Sequence, residues 1–305
     1  MEERKQNLKT VALSLLVMAL WGSLFPFVKI GYGAFGITAN SVPDILMFAG
    51  ARFTSCGAAV SLFCLLHKEK IATPRGKNIF WIVMMGMFAI VLHYTCTYIG
   101  LSTTDSSKTA LIKQLGALLY VCFSFLFIRS EKFSILKIVG ALVGFSGIVA
   151  INVGSGGIHF SLGDILIIGA SACTVISNII TKLRTSANSP YWITGLSQLV
   201  GGVFLLGVAI ALGAHPLVFT LRSTAVFLYI CIVSIVSYTL WYYILSTNAL
   251  SKMFIIKFAE PLFACLFGAI LLGENIFKLQ YLAAFVLISL GIVLGNLQVE
   301  KAKKT

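Results

Sequence analysis

Apolar residues in this chain come in runs of about 20, the length a helix needs to cross a bilayer. Ten such runs follow one another, over residues 8–30, 43–66, 79–100, 105–128, 134–153, 162–181, 190–213, 222–246, 250–272 and 278–296. The links between them are short and leave no room for a soluble domain. The first run follows Arg4, Lys5 and Lys9 but is too long for a secretory h-region, so it is expected to remain as a helix. The pattern predicts an all-α integral membrane protein, with ten transmembrane helices in a single membrane domain over residues 1–305.

Polar positions inside the runs repeat. The 59 residues from Tyr94 to Asn152 recur 144 positions later. Tyr94-Thr95 returns as Tyr238-Thr239, Tyr98 as Tyr242, and Leu101-Ser102-Thr103 as Leu245-Ser246-Thr247. Ser107-Lys108 returns as Ser251-Lys252, Ile112-Lys113 as Ile256-Lys257, and Asn152 as Asn296. Apolar matches are cheap in such a chain, but matched Tyr, Thr, Lys and Asn are not. The expectation is two five-helix repeats, 8–153 and 162–296. Five is odd, so the second copy enters the membrane upside down. An inverted repeat has two nearly equivalent tilts, one open to each side, which is the basis of alternating access in secondary transporters.

Composition and charge agree with this solvent. Hydrophobic residues make up 58% and charged residues 11%, against about 25% charged in soluble domains. With the N-terminus inside, fifteen Lys and Arg fall on the cytoplasmic side, against Lys29, Arg222 and Lys278 on the other. Both termini are therefore expected in the cytoplasm, in a multi-pass protein of the cytoplasmic (inner) membrane. The net charge of +13 is topological and asks for no nucleic acid, because its residues sit in scattered links.

Ionisable residues inside the runs are the functional candidates, since charge in hydrocarbon is costly. The repeat mates Lys113 and Lys257 each lie about seven residues into a run, roughly 10 Å deep. In an inverted duplex they flank the midplane, within reach of one solute with an anionic group. Glu260 follows Lys257 by three residues, on one helical face. It reads either as the ion-pair partner of Lys257 or as a proton carrier. His93 is a second candidate for proton coupling. Arg52, deep in the second run, must meet an acceptor or a solute. Lys108 follows Asp105 by one turn and is expected to snorkel. The pairs Tyr94/Tyr98 and Tyr238/Tyr242 are each spaced by four, and with Trp241 and Tyr120 they suit an aromatic-walled cavity. Gly140, Gly144 and Gly147, and Gly201, Gly202 and Gly207, suit close helix packing. Pro26 and Pro261 are expected to interrupt runs one and nine. The seven cysteines lie in apolar runs without metal spacing, so no metal or cofactor is expected.

Several stretches together resemble the drug/metabolite transporter superfamily, EamA type, over nearly the whole chain. They are Trp21-Gly22-Ser23 with Lys29, Pro43 with Arg52-Phe53, Gly163-Asp164 before Ala170-Ser171-Ala172, and Glu260-Pro261-Leu262-Phe263-Ala264 before Leu272-Gly273-Glu274. One departure is Ala117, where a proline opposite Pro261 is expected. The resemblance implies ten helices as five plus five, a small-metabolite solute, most often export, and Trp21 beside the solute. Rival readings are a flippase for a lipid-linked solute, a channel and an intramembrane enzyme. The enzyme has little behind it: Gly144-Phe145-Ser146-Gly147 has no histidine base in a later helix, and the Ser-Lys neighbours point apart. Monomer and homodimer both stay open.

Overall fold

Every predicted run is met by a helix. The computed structural model describes residues 2–67, 71–116, 120, 126, 135–151, 153–154, 157–158, 160–185, 188–247, 257, 259–276 and 278–301. Among these, α1 spans Glu2–Phe35, α2 Val42–Leu66, α3 Lys77–Thr103, α4 Ser106–Lys113 and α5 Ile135–Ile151. After them come α6 Leu162–Ile180, α7 Pro190–Ala211, α8 Leu221–Thr247, α9 Ala259–Leu272 and α10 Leu279–Lys301. Six of these helices carry windows long and apolar enough to cross a membrane by themselves. A two-stranded antiparallel hairpin, Val153–Gly154 with Gly157–Ile158, joins the halves of the otherwise helical chain. Ala117 and the Ser251-Lys252 pair lie outside the described residues.

Local chemistry sets the helix ends. Gly36 has φ +68, and the N–H of Ile37 then reaches the carbonyl of Tyr32 at 2.9 Å, the Schellman closure of α1. Ser161 and Asp164 form a capping box at the start of α6. α1 runs through Pro26 as one helix, and Pro261 stands in the first turn of α9, where its missing N–H has no helical partner to lose. Neither proline therefore interrupts a described helix. α3 is a helix of two parts, because Met87–Leu92 forms a π stretch immediately before His93. Such widened turns occur often at functional sites. The repeat-related α8 is regular helix throughout.

Packing follows the small residues. α2 lies on α7 so closely that a Cβ on Gly50 would sit 2.7 Å from the backbone nitrogen of Leu206. On the α5–α10 contact, a Cβ on Gly147 would sit 2.9 Å from the carbonyl of Ala284. Gly207 corrects the expectation, since nothing lies within 4 Å of its Cβ position. The pairings also exchange under a shift of five helices. α1 packs on α8 and α9, while α6 packs on α3 and α4; α2–α7 and α5–α10 map onto themselves. Large apolar side chains such as Leu66, Leu142, Leu228 and Ile270 face outward, as a lipid-facing surface requires.

Candidate functional site

Seven helices, α1, α2, α3, α4, α6, α8 and α9, surround a central cavity whose space, mouth included, is about 740 Å³. Trp21, Arg52, His93, Tyr94, Tyr98, Lys113, Tyr238, Trp241, Tyr242, Lys257 and Glu260 all line it. Tyr120 is buried but is not among the lining residues. Thr97, Thr174, Ser177 and Asn178 also line the cavity and were not singled out from sequence. The signal was present: Thr174, Ser177 and Asn178 share one face of α6 at spacings of three and four.

Glu260 has a partner beyond the neighbour its spacing implies. Its Oε1 lies 3.6 Å from Lys113 Nζ, an ion pair between α9 and α4. The backbone N–H of Glu260 meanwhile donates to the carbonyl of Lys257. Glu260 is 1% exposed, and neither carboxylate oxygen accepts a hydrogen bond among the described residues. Lys257, in the turn before α9, sets its Nζ 5.6 Å from the ring of Trp241 and 6.0 Å from that of Trp21. Lys113 Nζ stands 4.9 Å from the ring of Phe25. Aromatic faces are the favourable apolar neighbours for a buried ammonium.

Arg52 is wholly buried. Its Nε and Nη2 donate to Ser234 Oγ at 2.9 and 2.6 Å, and Nη1 donates to the Tyr98 hydroxyl. Its guanidinium stands 4.7 Å from the ring of Phe53 and 5.6 Å from that of Tyr94. Among the described residues no carboxylate forms a salt bridge with it. Its positive charge is held by neutral hydroxyls.

The remaining walls are amphipathic. Tyr238 donates to Tyr94 at 2.8 Å, and Trp241 Nε1 donates to Asn178 Oδ1 at 3.4 Å. The Trp21 ring packs edge-on against Tyr238, centroids 5.7 Å apart, and its buried Nε1 has no hydrogen-bond partner among the described residues. His93 Nδ1 lies 2.9 Å from both the Ala170 carbonyl and Thr174 Oγ1. A carbonyl only accepts, so this nitrogen carries the proton.

At one end of the bundle the halves are clamped together. Glu274, just past α9, accepts at Oε1 from the backbone N–H of Ser106 (2.9 Å) and from its hydroxyl. Its Oε2 accepts from the N–H of Ser107 (3.0 Å) and the Ser107 hydroxyl (2.6 Å). The carboxylate thus satisfies the open N-terminus of α4 from another helix. Burial alone would raise the Glu274 carboxyl, but these hydrogen bonds outweigh it and hold it below the ordinary carboxylate range. Lys29 stands 4.0 Å away. Lys108 sets its Nζ 2.9 Å from Asp164, tying α4 to α6, while Asp105 accepts from Tyr281. At this end Asp44 also accepts from the N–H of His215 at 2.7 Å.

Comparison with known proteins places this architecture. An uncharacterized transporter of Archaeoglobus fulgidus is 23% identical over 276 residues, covering 88% of this chain and 91% of its own. The uncharacterized transporter YvbV of Bacillus subtilis is 25% identical over 304 residues, covering 97% and 94%. The uncharacterized inner membrane transporter YedA of Escherichia coli K12 is 26% identical over 284 residues, covering 89% and 88%. A solved crystal structure, 17% identical, shares the fold at a TM-score of 0.67 over 97% of this chain and 99% of its own. The sequence pattern of the EamA-like transporter family matches twice, over residues 8–153 and 161–297. This ten-helix membrane protein therefore belongs to the EamA-like transporter family and is a membrane transporter.

Proposed function

We propose that the protein is a secondary transporter of small anionic metabolites, working across the cytoplasmic membrane by alternating access. The observation that carries this reading is the charge around the cavity: among the described residues Arg52, Lys113 and Lys257 stand against the single carboxylate of Glu260. Unbalanced positive charge in a low-dielectric wall is costly, and an anionic solute offsets it. The aromatic walls and the few convergent polar groups suit a small metabolite, and the volume sets an upper limit on its size.

The moving parts in this proposal are the halves 8–153 and 162–296, inverted about an axis in the membrane plane, with both termini in the cytoplasm. That orientation puts the Glu274 clamp on the outer face, so the clamp is the outer gate and must open to release solute outward. Export is the proposed direction. Glu260 is the proposed proton carrier, because solute reaching Lys113 frees its carboxylate to take a proton; His93, which lines the same cavity, is the proposed relay.

Counterflow tests the reading. Purified protein in liposomes loaded with unlabelled carboxylates should accumulate labelled carboxylate from outside, and Lys113→Gln should abolish this. Accumulation of organic cations instead, with carboxylates inert, would overturn it. Exchange of a lipid-linked anion between leaflets without release to water would turn it into a flippase.

A further inference from the structure

We infer, on the reading of the cavity as an anion site, that the solute is a dicarboxylate with an apolar chain between its ends. The cavity has two cationic poles. At the first, three of the five Arg52 N–H groups are engaged, by Ser234 and Tyr98. Two remain for a carboxylate, the bidentate match for a guanidinium. Its formal charge is one unit positive. At the second, Lys113 and Lys257 face Glu260, which again sums to one unit positive. The Lys113–Glu260 contact is 3.6 Å long and Glu260 accepts no hydrogen bond among the described residues. Lys113 can therefore turn to a new carboxylate without breaking a hydrogen bond to Glu260.

An aromatic partition separates the poles. Tyr94 stands 5.6 Å from the Arg52 guanidinium and is hydrogen-bonded to Tyr238. Tyr238 packs on Trp21, and Trp21 stands 6.0 Å from Lys257 Nζ. One wall of aromatic rings thus reaches from pole to pole, its hydroxyls joined to each other between Tyr94 and Tyr238.

Three kinds of anion fit this charge pattern unequally. A monocarboxylate neutralises one pole and leaves the other bare. A phosphate monoester brings nearly two charges to one pole, again stranding the other. A dicarboxylate puts one charge at each pole and its methylene chain against the rings. Buried charge left without a counter-charge is the most costly of these outcomes.

The test uses purified full-length protein in detergent at neutral pH. Apparent Kd is read from thermal stabilisation for the straight-chain diacids from malonate to pimelate, the monoamide of the best diacid, and a phosphate monoester of similar length. The expected result is one preferred chain length, with its monoamide weaker by about tenfold or more, the cost of one charge-assisted contact. Arg52→Gln should bind diacid and monoamide alike, while Arg52→Lys should keep part of the preference. If Arg52→Gln does not fold, the ratio of diacid to monoamide in the unaltered protein decides. A ratio near one, or tightest binding by the phosphate ester, overturns the inference and leaves the anion reading standing. Failure of every anion to bind would remove both.

Discussion

Tyr238 donates its hydroxyl hydrogen to Tyr94 at 2.8 Å, and the two hold the same position in the two halves, 144 residues apart. The α2–α7 and α5–α10 contacts likewise join helices of matching place in the two stretches, and both tyrosines line the cavity.

This bond is buried, and breaking half of it strands a hydroxyl. Tyr238→Phe should therefore destabilise the protein by about 1–3 kcal/mol, as an unsatisfied buried group does. Tyr94→Phe on top of it should cost little more, since both partners are then gone. A double-mutant cycle on thermal midpoints reads the coupling; additive effects would mean the bond contributes nothing.

Glu260 balances the lysines in the empty cavity. Glu260→Gln leaves them facing each other and should lower the midpoint of the empty protein strongly, on the order of 3–5 kcal/mol for a broken buried pair. The same variant should gain more stabilisation than the unaltered protein from a saturating carboxylate. Equal gains in both would show that the carboxylate does not meet the lysines.

Acid should loosen the Glu274 clamp. Hydrogen bonds hold the Glu274 carboxyl below its ordinary value of about 4.3, so the unfolded chain binds its proton first as pH falls. The stabilisation is complete at neutral pH and disappears only as pH drops through that range and below. Glu274→Gln should be less stable at neutral pH by about 1–3 kcal/mol, with the gap closing as pH falls below the ordinary carboxylate range. Midpoints of both forms across that range test it; a constant gap would assign the loss to packing.

Two glycines on α7 should respond in opposite ways. Gly202→Ala drives a Cβ into the Phe53–Thr54 backbone of α2 and should destabilise by about 1–3 kcal/mol. Gly207→Ala meets open space and should be neutral or stabilising by up to about 1 kcal/mol. Thermal midpoints of the two variants are enough to tell.

The sequence was most legible where length or register carries the information. The ten runs follow from bilayer thickness, and Lys113, Lys257, Tyr94 and Tyr238 from matched polar positions. Partners were legible only inside one helix. Spacing set Glu260 beside Lys257, while the Lys113–Glu260 and Lys108–Asp164 pairs join different helices, and contacts between helices leave no mark in spacing. Ser234 escaped notice for the same reason, although it holds two of the Arg52 nitrogens. Tyr120 had a face assigned by periodicity along run four, and periodicity does not say which neighbour that face meets.

Perfect twins would leave an empty carrier with no resting side, since both tilts would have equal energy. The widened turn at Met87–Leu92 lies just before His93 in α3 and has no counterpart in α8. The two halves are therefore not interchangeable, and under the proposed alternating access the unloaded protein should rest with a built-in bias. Solute would then have to overcome that bias through tighter binding to the disfavoured form, and loading and unloading should run at different speeds on the two faces.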